Sequence, residues 1–204
     1  MHTHDEPVFD QPFWDNLYTE QDQRWSGNAN PVLVAEVSKL TPGTALDIGS
    51  GEGGDARWLA DNGWRTTGAD ISEVAIERAR AHQGGRDIEW LHRDLLEWEP
   101  ENTYDLVTAH FFQLPPHQTG PAFTRFGAAV ATGGHLLIVG HSPHDHLASQ
   151  HKHAQLLFDV DAITSLFDGD DWTVVVAEDR ARESADPDGT PAERKDTVVL
   201  LRRR

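Results

Sequence analysis

From residue 44 onward, short apolar and β-branched runs alternate with stretches whose apolar positions recur every three or four residues. That alternation is the signature of parallel βαβ units. Five runs are predicted as parallel strands: Thr44 to Ile48, Arg65 to Ala69, Ile88 to His92, Tyr104 to Ala109 and His135 to Gly140. Helices are predicted between them near residues 54–62, 73–82 and 121–131. Asn62-Gly63 closes the first with an αL-tolerant pair, Ser72 caps the second, and Pro121 suits the opening turn of the third. A polar, His-rich stretch from His141 to His153 follows, then a helix near Asp161 to Leu166 started by Asp159 or Asp161. Trp172 to Glu178 and Thr197 to Leu201 are two further β-branched runs. The polar segment between them, Arg180 to Asp196, holds Pro187, Gly189 and Pro191 and fits no helix. The two runs are therefore predicted as an antiparallel hairpin at the end of the sheet, joined by a polar loop.

Before the sheet, Phe9, Phe13, Trp14, Tyr18 and Trp25 lead into a helical stretch from Pro31 to Leu40, with Leu33, Val34, Val37 and Leu40 on one face. This segment reads either as a lid over the open end of the sheet or as a helical layer covering an edge. The expected organisation is a single domain, residues 1–40 forming a cap and 41–204 the core.

Charge narrows the partners. Seventeen Lys and Arg oppose 34 Asp and Glu, a formal net charge of −17, and the one cationic cluster is Arg202-Arg203-Arg204. Such a surface repels nucleic acids and anionic membranes, whose binders gain affinity from clustered Lys and Arg. Cysteine is absent from the chain, which excludes disulfides, thiolate metal sites and cysteine nucleophiles. Neither a signal peptide nor an apolar stretch of membrane-spanning length is apparent, so a cytoplasmic location is expected, as a monomer or homodimer.

The strongest chemical signal is Ala45-Leu46-Asp47-Ile48-Gly49-Ser50-Gly51-Glu52-Gly53-Gly54, where an apolar strand breaks into glycines before a helix. Glycine permits a tight turn and a close ligand approach. Gly49, Gly51 and Gly54 also match the dinucleotide pattern Gly-x-Gly-x-x-Gly, so the loop alone leaves a nicotinamide cofactor open. Asp47 shifts the balance, because a carboxylate there repels pyrophosphate but suits the cationic amino group of S-adenosylmethionine, which carries no phosphate. Asp70 ends the second strand, where a carboxylate can accept both ribose hydroxyls. Asp94-Leu95 ends the third, where an acid and an apolar neighbour can grip an adenine.

With Gly-Ala-Asp-Ile-Ser at the second strand, Tyr-Asp-Leu-Val at the fourth, Gly-Gly-His-Leu-Leu-Ile-Val at the fifth and the terminal hairpin, the chain resembles the class I S-adenosylmethionine-dependent methyltransferases. Trp25-Ser26-Gly27 with Asn30-Pro31 looks like the opening segment of small-molecule members of the type 11 and 25 groups, including tellurite-resistance and thiopurine-type relatives. The resemblance implies an α/β, Rossmann-like, doubly wound sheet of seven strands in the order 3-2-1-4-5-7-6, strand 7 antiparallel. It also implies that Asp47 and the loop Gly49, Ser50 and Gly51 hold the methionine moiety, with the Trp25 segment closing over it. Asp70 would then hold the ribose, Ile71 and Leu95 the adenine faces, and Asp94 its amino group.

Methyl transfer is an in-line displacement, so the acceptor pocket is expected over the ends of strands four and five. Its candidate lining is Phe13, Trp14 and Tyr18 from the cap, Phe111 and Phe112 after strand four, and His141 and His144 after strand five. His110, which also borders the cofactor, and His141 are the candidate bases, since imidazole titrates near neutral pH. The Asn-Pro-Pro-Tyr type of motif after strand four is missing. With the acidic surface, this points to a small apolar or aromatic acceptor or a soft inorganic nucleophile. His141, His144, His146, His151 and His153 lack a fixed metal-ligand pattern, and no metal is assigned to them. The alternatives are an NAD(P)-dependent oxidoreductase and a non-enzymatic module binding S-adenosylmethionine or a metal.

Overall fold

Seven strands form one sheet in the computed structural model, which describes residues 9–150, 153–185 and 191–204. They are β1 (Thr44–Ile48), β2 (Arg65–Asp70), β3 (Ile88–His92), β4 (Tyr104–His110), β5 (Val130–His141), β6 (Trp172–Ala185) and β7 (Pro191–Arg203). Their order is β3-β2-β1-β4-β5-β7-β6, with β7 antiparallel to both neighbours and the pairs among β1 to β5 parallel. This is the Rossmann-like sheet that the resemblance implied. The chain runs outward from β1 to β3, then returns to place β4 on the other side of β1. The carboxyl ends of β1 and β4 thus form the switch point where ligands of such sheets bind.

Alternation along the strands builds two layers of core. Leu106, Leu137, Val139, Val198 and Leu200 face α2 (Pro31–Val37) and α3 (Gly54–Asp61), meeting Val32, Leu33, Val37 and Leu59. Val107, Ala109, Leu136, Ile138, Val199 and Leu201 face the other way, meeting Phe123 and Phe126 of α5 (Pro116–Ala128) and Ile163 of α6 (Val160–Thr164). Beside β3, α4 (Glu73–His82) packs Ile76 and Ala79 on Ala56 and Trp90. No helix among the described residues is long and apolar enough to cross a membrane.

Where the structure departs from expectation, the backbone supplies the reason. Residues 9–40 divide into two parts. Asn30 caps α2, whose apolar face joins the core and which ends at Val37, whereas α1 (Gln11–Thr19) and the segment after it sit on the glycine turn. Helix α5 begins at Pro116, not at Pro121. Pro115 and Pro116 already supply the rigid start, and Pro121 lies one turn inside, where its missing N–H gives up a helical bond. That helix stops at Ala128, and β5 starts at Val130, five residues earlier than predicted, with a register shift opposite Tyr104 and Leu106. The segment Arg180 to Asp196 is not mainly loop. β6 and β7 continue pairing to Ala185 and Pro191, well past the His141–Asp196 pair where β5 ends, so a two-stranded extension stands beyond the sheet. The extension is met by polar contacts, the Lys195 N–H to Asp145 Oδ2 at 2.7 Å among them, so its residues stay polar and gave no apolar period. Pro187 and Gly189 lie outside the described residues.

Candidate active site

Beyond Ile48 the chain turns through Gly49 and Gly51, whose φ of 70° and 51° are left-handed and favour glycine. The turn is tied to β2. Gly49 and Ser50 donate N–H bonds to the Ala69 carbonyl at 2.8 and 3.0 Å, Gly51 donates to Asp70 Oδ2 at 2.8 Å, and Gly53 donates to the Ser50 carbonyl at 2.9 Å. These N–H groups, which a pyrophosphate would need, are committed within the protein. Glycine at 49 and 51 also lets neighbours close in, since a Cβ on Gly51 would lie 2.8 Å from Tyr18 Oη and one on Gly49 3.0 Å from Phe112 Cδ2.

Under this turn lies a buried charged network. Asp47 Oδ1 accepts a 2.9 Å bond from the Thr108 hydroxyl of β4, while its Oδ2 is buried and unpartnered. Two residues past Thr108 on the same face of β4, His110 donates from Nδ1 to Asp55 Oδ2 at 2.6 Å. The His110 side chain is only 5% exposed, and its Nε2 is likewise buried and unpartnered, as is Ser50 Oγ. Asp55, in the first turn of α3, also accepts the Asn30 N–H at 2.6 Å, so the segment leading into α2 helps fix it. Burial and the nearby Asp55 push the Asp47 carboxyl up to about 7, against the pull of His110 and the Thr108 hydroxyl. Burial opposes charge on His110 too, but Asp55 and then Asp47 raise its affinity for a proton. Burial would also lift Asp55, yet the His110 imidazole holds it below the ordinary carboxylate range. In the His110–Asp55 pair each partner favours the charged form of the other, with the ring buried and the carboxylate 16% exposed.

The remaining cofactor candidates are spread along the same edge. Asp70 is buried, accepting from the Gly51 N–H and, at 2.8 Å through Oδ1, from the Ser72 N–H; burial outweighs these bonds and raises its carboxyl. Ile71 is half-buried and its carbonyl meets His92 Nε2 at 2.9 Å. Asp94 is exposed at the end of β3, where its side chain accepts the Leu96 N–H, and Leu95 is packed into the core beneath α5. Trp25 is half exposed and donates from Nε1 to Tyr18 Oη at 3.3 Å. Tyr18, expected at the acceptor, is buried over Gly51 instead, where burial and the Asp70 charge raise its hydroxyl well above the ordinary value.

On the acceptor side, Phe111 adopts a left-handed φ of 54°, and its exposed ring lies 4.6 Å from that of His141. A bulky residue held at positive φ signals a backbone constrained by its surroundings. His141 donates from Nδ1 to the buried Asp196 at 3.2 Å, and Arg182 bonds the other oxygen of Asp196 at 2.8 Å. His144 is paired with Asp179 of β6 at 2.6 Å. Phe112 does not line this mouth but packs on Phe126 and over Gly49. Phe13 and Trp14 form an aromatic group with Phe9, and Phe9 in turn meets His153. Among the described residues the histidines do not converge with carboxylates into a metal-ligating group, and His151 lies outside them. A polar groove of about 420 Å³ at the opposite edge, between Thr44, Arg65 and Glu89, holds none of the unpartnered buried atoms.

Sequence reasoning missed three residues here. Asp55 reads as an ordinary first-turn acid, and only the fold brings it to His110. Glu52, inside the glycine loop, accepts the N–H groups of Arg24 and Trp25 and pairs with Arg78 at 3.0 Å. Arg57 then bonds the carbonyls of Glu52 and Gly27, clamping the cap to the turn. A buried acid next to a glycine turn was the available signal for Glu52. In chemical terms this donor set fits S-adenosylmethionine, with an unpartnered buried carboxylate oxygen for its cationic amino group and no demand for phosphate.

Residues 45–134 match the family described as "Methyltransferase domain". Thiocyanate methyltransferase 1 of Arabidopsis thaliana is 29% identical over 106 residues, which are 48% of this chain and 47% of the relative. The chain thus matches about half the length of that curated relative. A solved structure from work on conversion of a disulfide bond into a thioacetal group during echinomycin biosynthesis superposes with a TM-score of 0.75 at 22% identity, over 95% of this chain and 91% of that one. TehB from Haemophilus influenzae gives 0.71 at 17% identity, over 93% and 66%. The sheet order and these superpositions show the fold shared with such methyltransferases, and residues 45–134 are similar to a methyltransferase domain.

Proposed function

We propose that this chain transfers the methyl group of S-adenosylmethionine to a small-molecule acceptor. The observation that carries this reading is the buried, unpartnered Asp47 Oδ2 beside a glycine turn in which the N–H groups of Gly49, Ser50, Gly51 and Gly53 are committed elsewhere. Such a place seeks a cation and rejects a phosphate. Asp47 takes the ammonium of the cofactor. Asp70, whose oxygens each keep a lone pair beyond the bond they accept, takes the ribose hydroxyls. Asp94 meets the adenine amino group, and Ile71 packs on the ring with Leu95 backing that wall. Tyr18 and Trp25, clamped through Glu52, close the turn against water.

When bound, the cofactor supplies an electrophilic methyl group on a sulfonium. The chain aligns an acceptor with it and, where the nucleophile starts protonated, removes a proton. His141 suits that task. Its Nδ1–H is held by Asp196, which leaves the Nε2 lone pair for the acceptor, and at 43% exposure its side chain can be reached from solvent. His144 beside Asp179 adds a second polar wall, and Phe111 an aromatic one. A polarisable sulfur nucleophile is the favoured acceptor, a reading supported by the names of the thiocyanate methyltransferase and of the echinomycin structure.

Calorimetric titration with S-adenosylhomocysteine and NADH in parallel tests the cofactor, and labelled methyl transfer to thiocyanate and a panel of small thiols tests the acceptor. Binding of S-adenosylhomocysteine without NADH, and label in a thiol or thiocyanate product, are the expected results. NADH binding alone would return the glycine turn to the oxidoreductase reading.

A further inference from the structure

The mechanism above leaves His110 without a task, although it is among the most elaborately held side chains in the protein. It is too buried to meet an acceptor, and its partner Asp55 lies 55 positions away in sequence. Ion pairing with Asp55 keeps a proton on each ring nitrogen, so Nε2 is a buried N–H donor that requires an acceptor. Asp47 Oδ2 does not serve, since both atoms lack a hydrogen-bond partner. The two lie side by side at the switch point: Asp47 pairs in register with Thr108, and His110 follows the Ile48–Ala109 pair at the level of Gly49. A donor that Asp55 biases toward positive charge and a carboxyl that an incoming ammonium would hold ionised, both unsatisfied, are complementary to a group bearing a carboxylate and an ammonium on one carbon. The N–H groups of Gly49, Ser50, Gly51 and Gly53, which would otherwise bind a carboxylate, are spent on Ala69, Asp70 and Ser50. Ser50 Oγ, also unpartnered, is a further donor nearby.

Resting on the methyl-donor reading, we propose that His110 and Ser50 bind the carboxylate of the cofactor's amino-acid end while Asp47 takes its ammonium. Asp55 is then a positioning residue that fixes the His110 ring and its charge, and the pair is a zwitterion clamp, not the base for the acceptor.

The test is calorimetric binding of three probes. S-adenosylhomocysteine carries both charges, its decarboxylated amine S-adenosyl-3-thiopropylamine carries only the ammonium, and 5′-methylthioadenosine carries neither. A hydrogen bond between charged groups in a buried site corresponds to roughly tenfold to hundredfold in affinity. The wild-type protein is expected to prefer S-adenosylhomocysteine over the decarboxylated amine by that factor. His110→Leu is expected to abolish the preference while leaving 5′-methylthioadenosine within about threefold, which also reports that the rest of the site is folded. His110→Gln, a neutral donor, keeps part of the preference, and Asp55→Asn lowers it although the ring can still be held by a hydrogen bond. Equal wild-type affinity for the first two probes would overturn the clamp, and so would a preference that survives His110→Leu or a variant that weakens all three probes alike. Binding of none of the three by the wild type would overturn the methyl-donor reading itself, so the two failures are distinguishable.

Discussion

The ends of β1 and β4 and the ends of β5 and β7 carry the same residue types in opposite condition. At the first, Asp47 and the His110 side chain are buried and Asp55 is half-buried, and two of the three hold polar atoms without partners. At the second, His141 and His144 are open to solvent and already satisfied by Asp196 and Asp179. An unpartnered buried polar atom costs on the order of 1 to 3 kcal/mol, so the first end is held ready for a ligand at the expense of stability. The second sits where β6 and β7 run past the end of β5, its two imidazoles are exposed, and changes there disturb little else. A cofactor that stays the same is met by a rigid buried site, whereas an acceptor is met by residues that tolerate replacement.

Asp70→Ala should produce the largest effect. It removes the acceptor for the buried Gly51 and Ser72 N–H groups, so about 3 kcal/mol of stability in denaturant unfolding should be lost, and most affinity for S-adenosylhomocysteine with it. His141→Ala removes a half-exposed imidazole from a buried carboxylate that Arg182 still meets at 2.8 Å, and should cost under about 1 kcal/mol. Equal losses from the two variants would end the distinction between the regions.

A smaller effect comes from pH. Asp47 faces Asp55 from α3, Asp70 from β2 and Thr108 and His110 from β4, and its carboxyl titrates near 7 in the folded chain against about 3.9 when unfolded. Between those values the folded state holds a proton that the unfolded state lacks, so stability falls as pH rises toward 7. His110 acts in the same sense, its contribution being present below about 6.5 and lost as pH passes its raised folded value. An ammonium bound at Asp47 relieves the first loss. The rise in melting temperature given by S-adenosylhomocysteine should therefore be larger at pH 8 than at pH 5, read by thermal unfolding with and without it. At the other end, burial lifts Asp196 and Asp179, but His141 with Arg182, and His144 with Ser142, hold them low, so their contribution is lost only below about pH 4. The acceptor-side carboxylates should be silent in that comparison, and an equal rise at both pH values would show that Asp47 does not meet the ligand.

The same division governs what could be read from the sequence. Strands β1 to β4 and the glycine turn were legible because each strand is a short apolar or β-branched run stopped by residues that make turns. Asp47, Asp70 and Asp94 were legible because a strand end is a position that spacing locates. The β6–β7 extension was not, because paired strands outside the core need no apolar alternation and Arg180 to Asp196 shows none. Asp55 was not, because its meaning depends on contact with His110 across 55 residues. Helix α1 was overlooked despite a signal in Asp10, whose side chain caps the Phe13 N–H with Pro12 in the first turn.

Phe111→Asn gives the smallest change in stability and the sharpest separation. A non-glycine residue at φ 54° carries a strain of roughly 1 to 2 kcal/mol that asparagine tolerates better. Loss of the ring against His141 costs about 0.5 to 1.5 kcal/mol in the other direction. The two nearly cancel, so the unfolding midpoint should move by less than about 1 kcal/mol. The N–H of residue 111, bonded to the Val139 carbonyl at 2.7 Å, is kept, so the end of β4 and His110 should stay in place. Affinity for S-adenosylhomocysteine should therefore be unchanged, while KM for the acceptor rises about tenfold, the equivalent of ~1.4 kcal/mol of lost contact. If affinity for S-adenosylhomocysteine falls as far as KM rises, Phe111 lines both ends, and the two regions are a single site with one continuous wall.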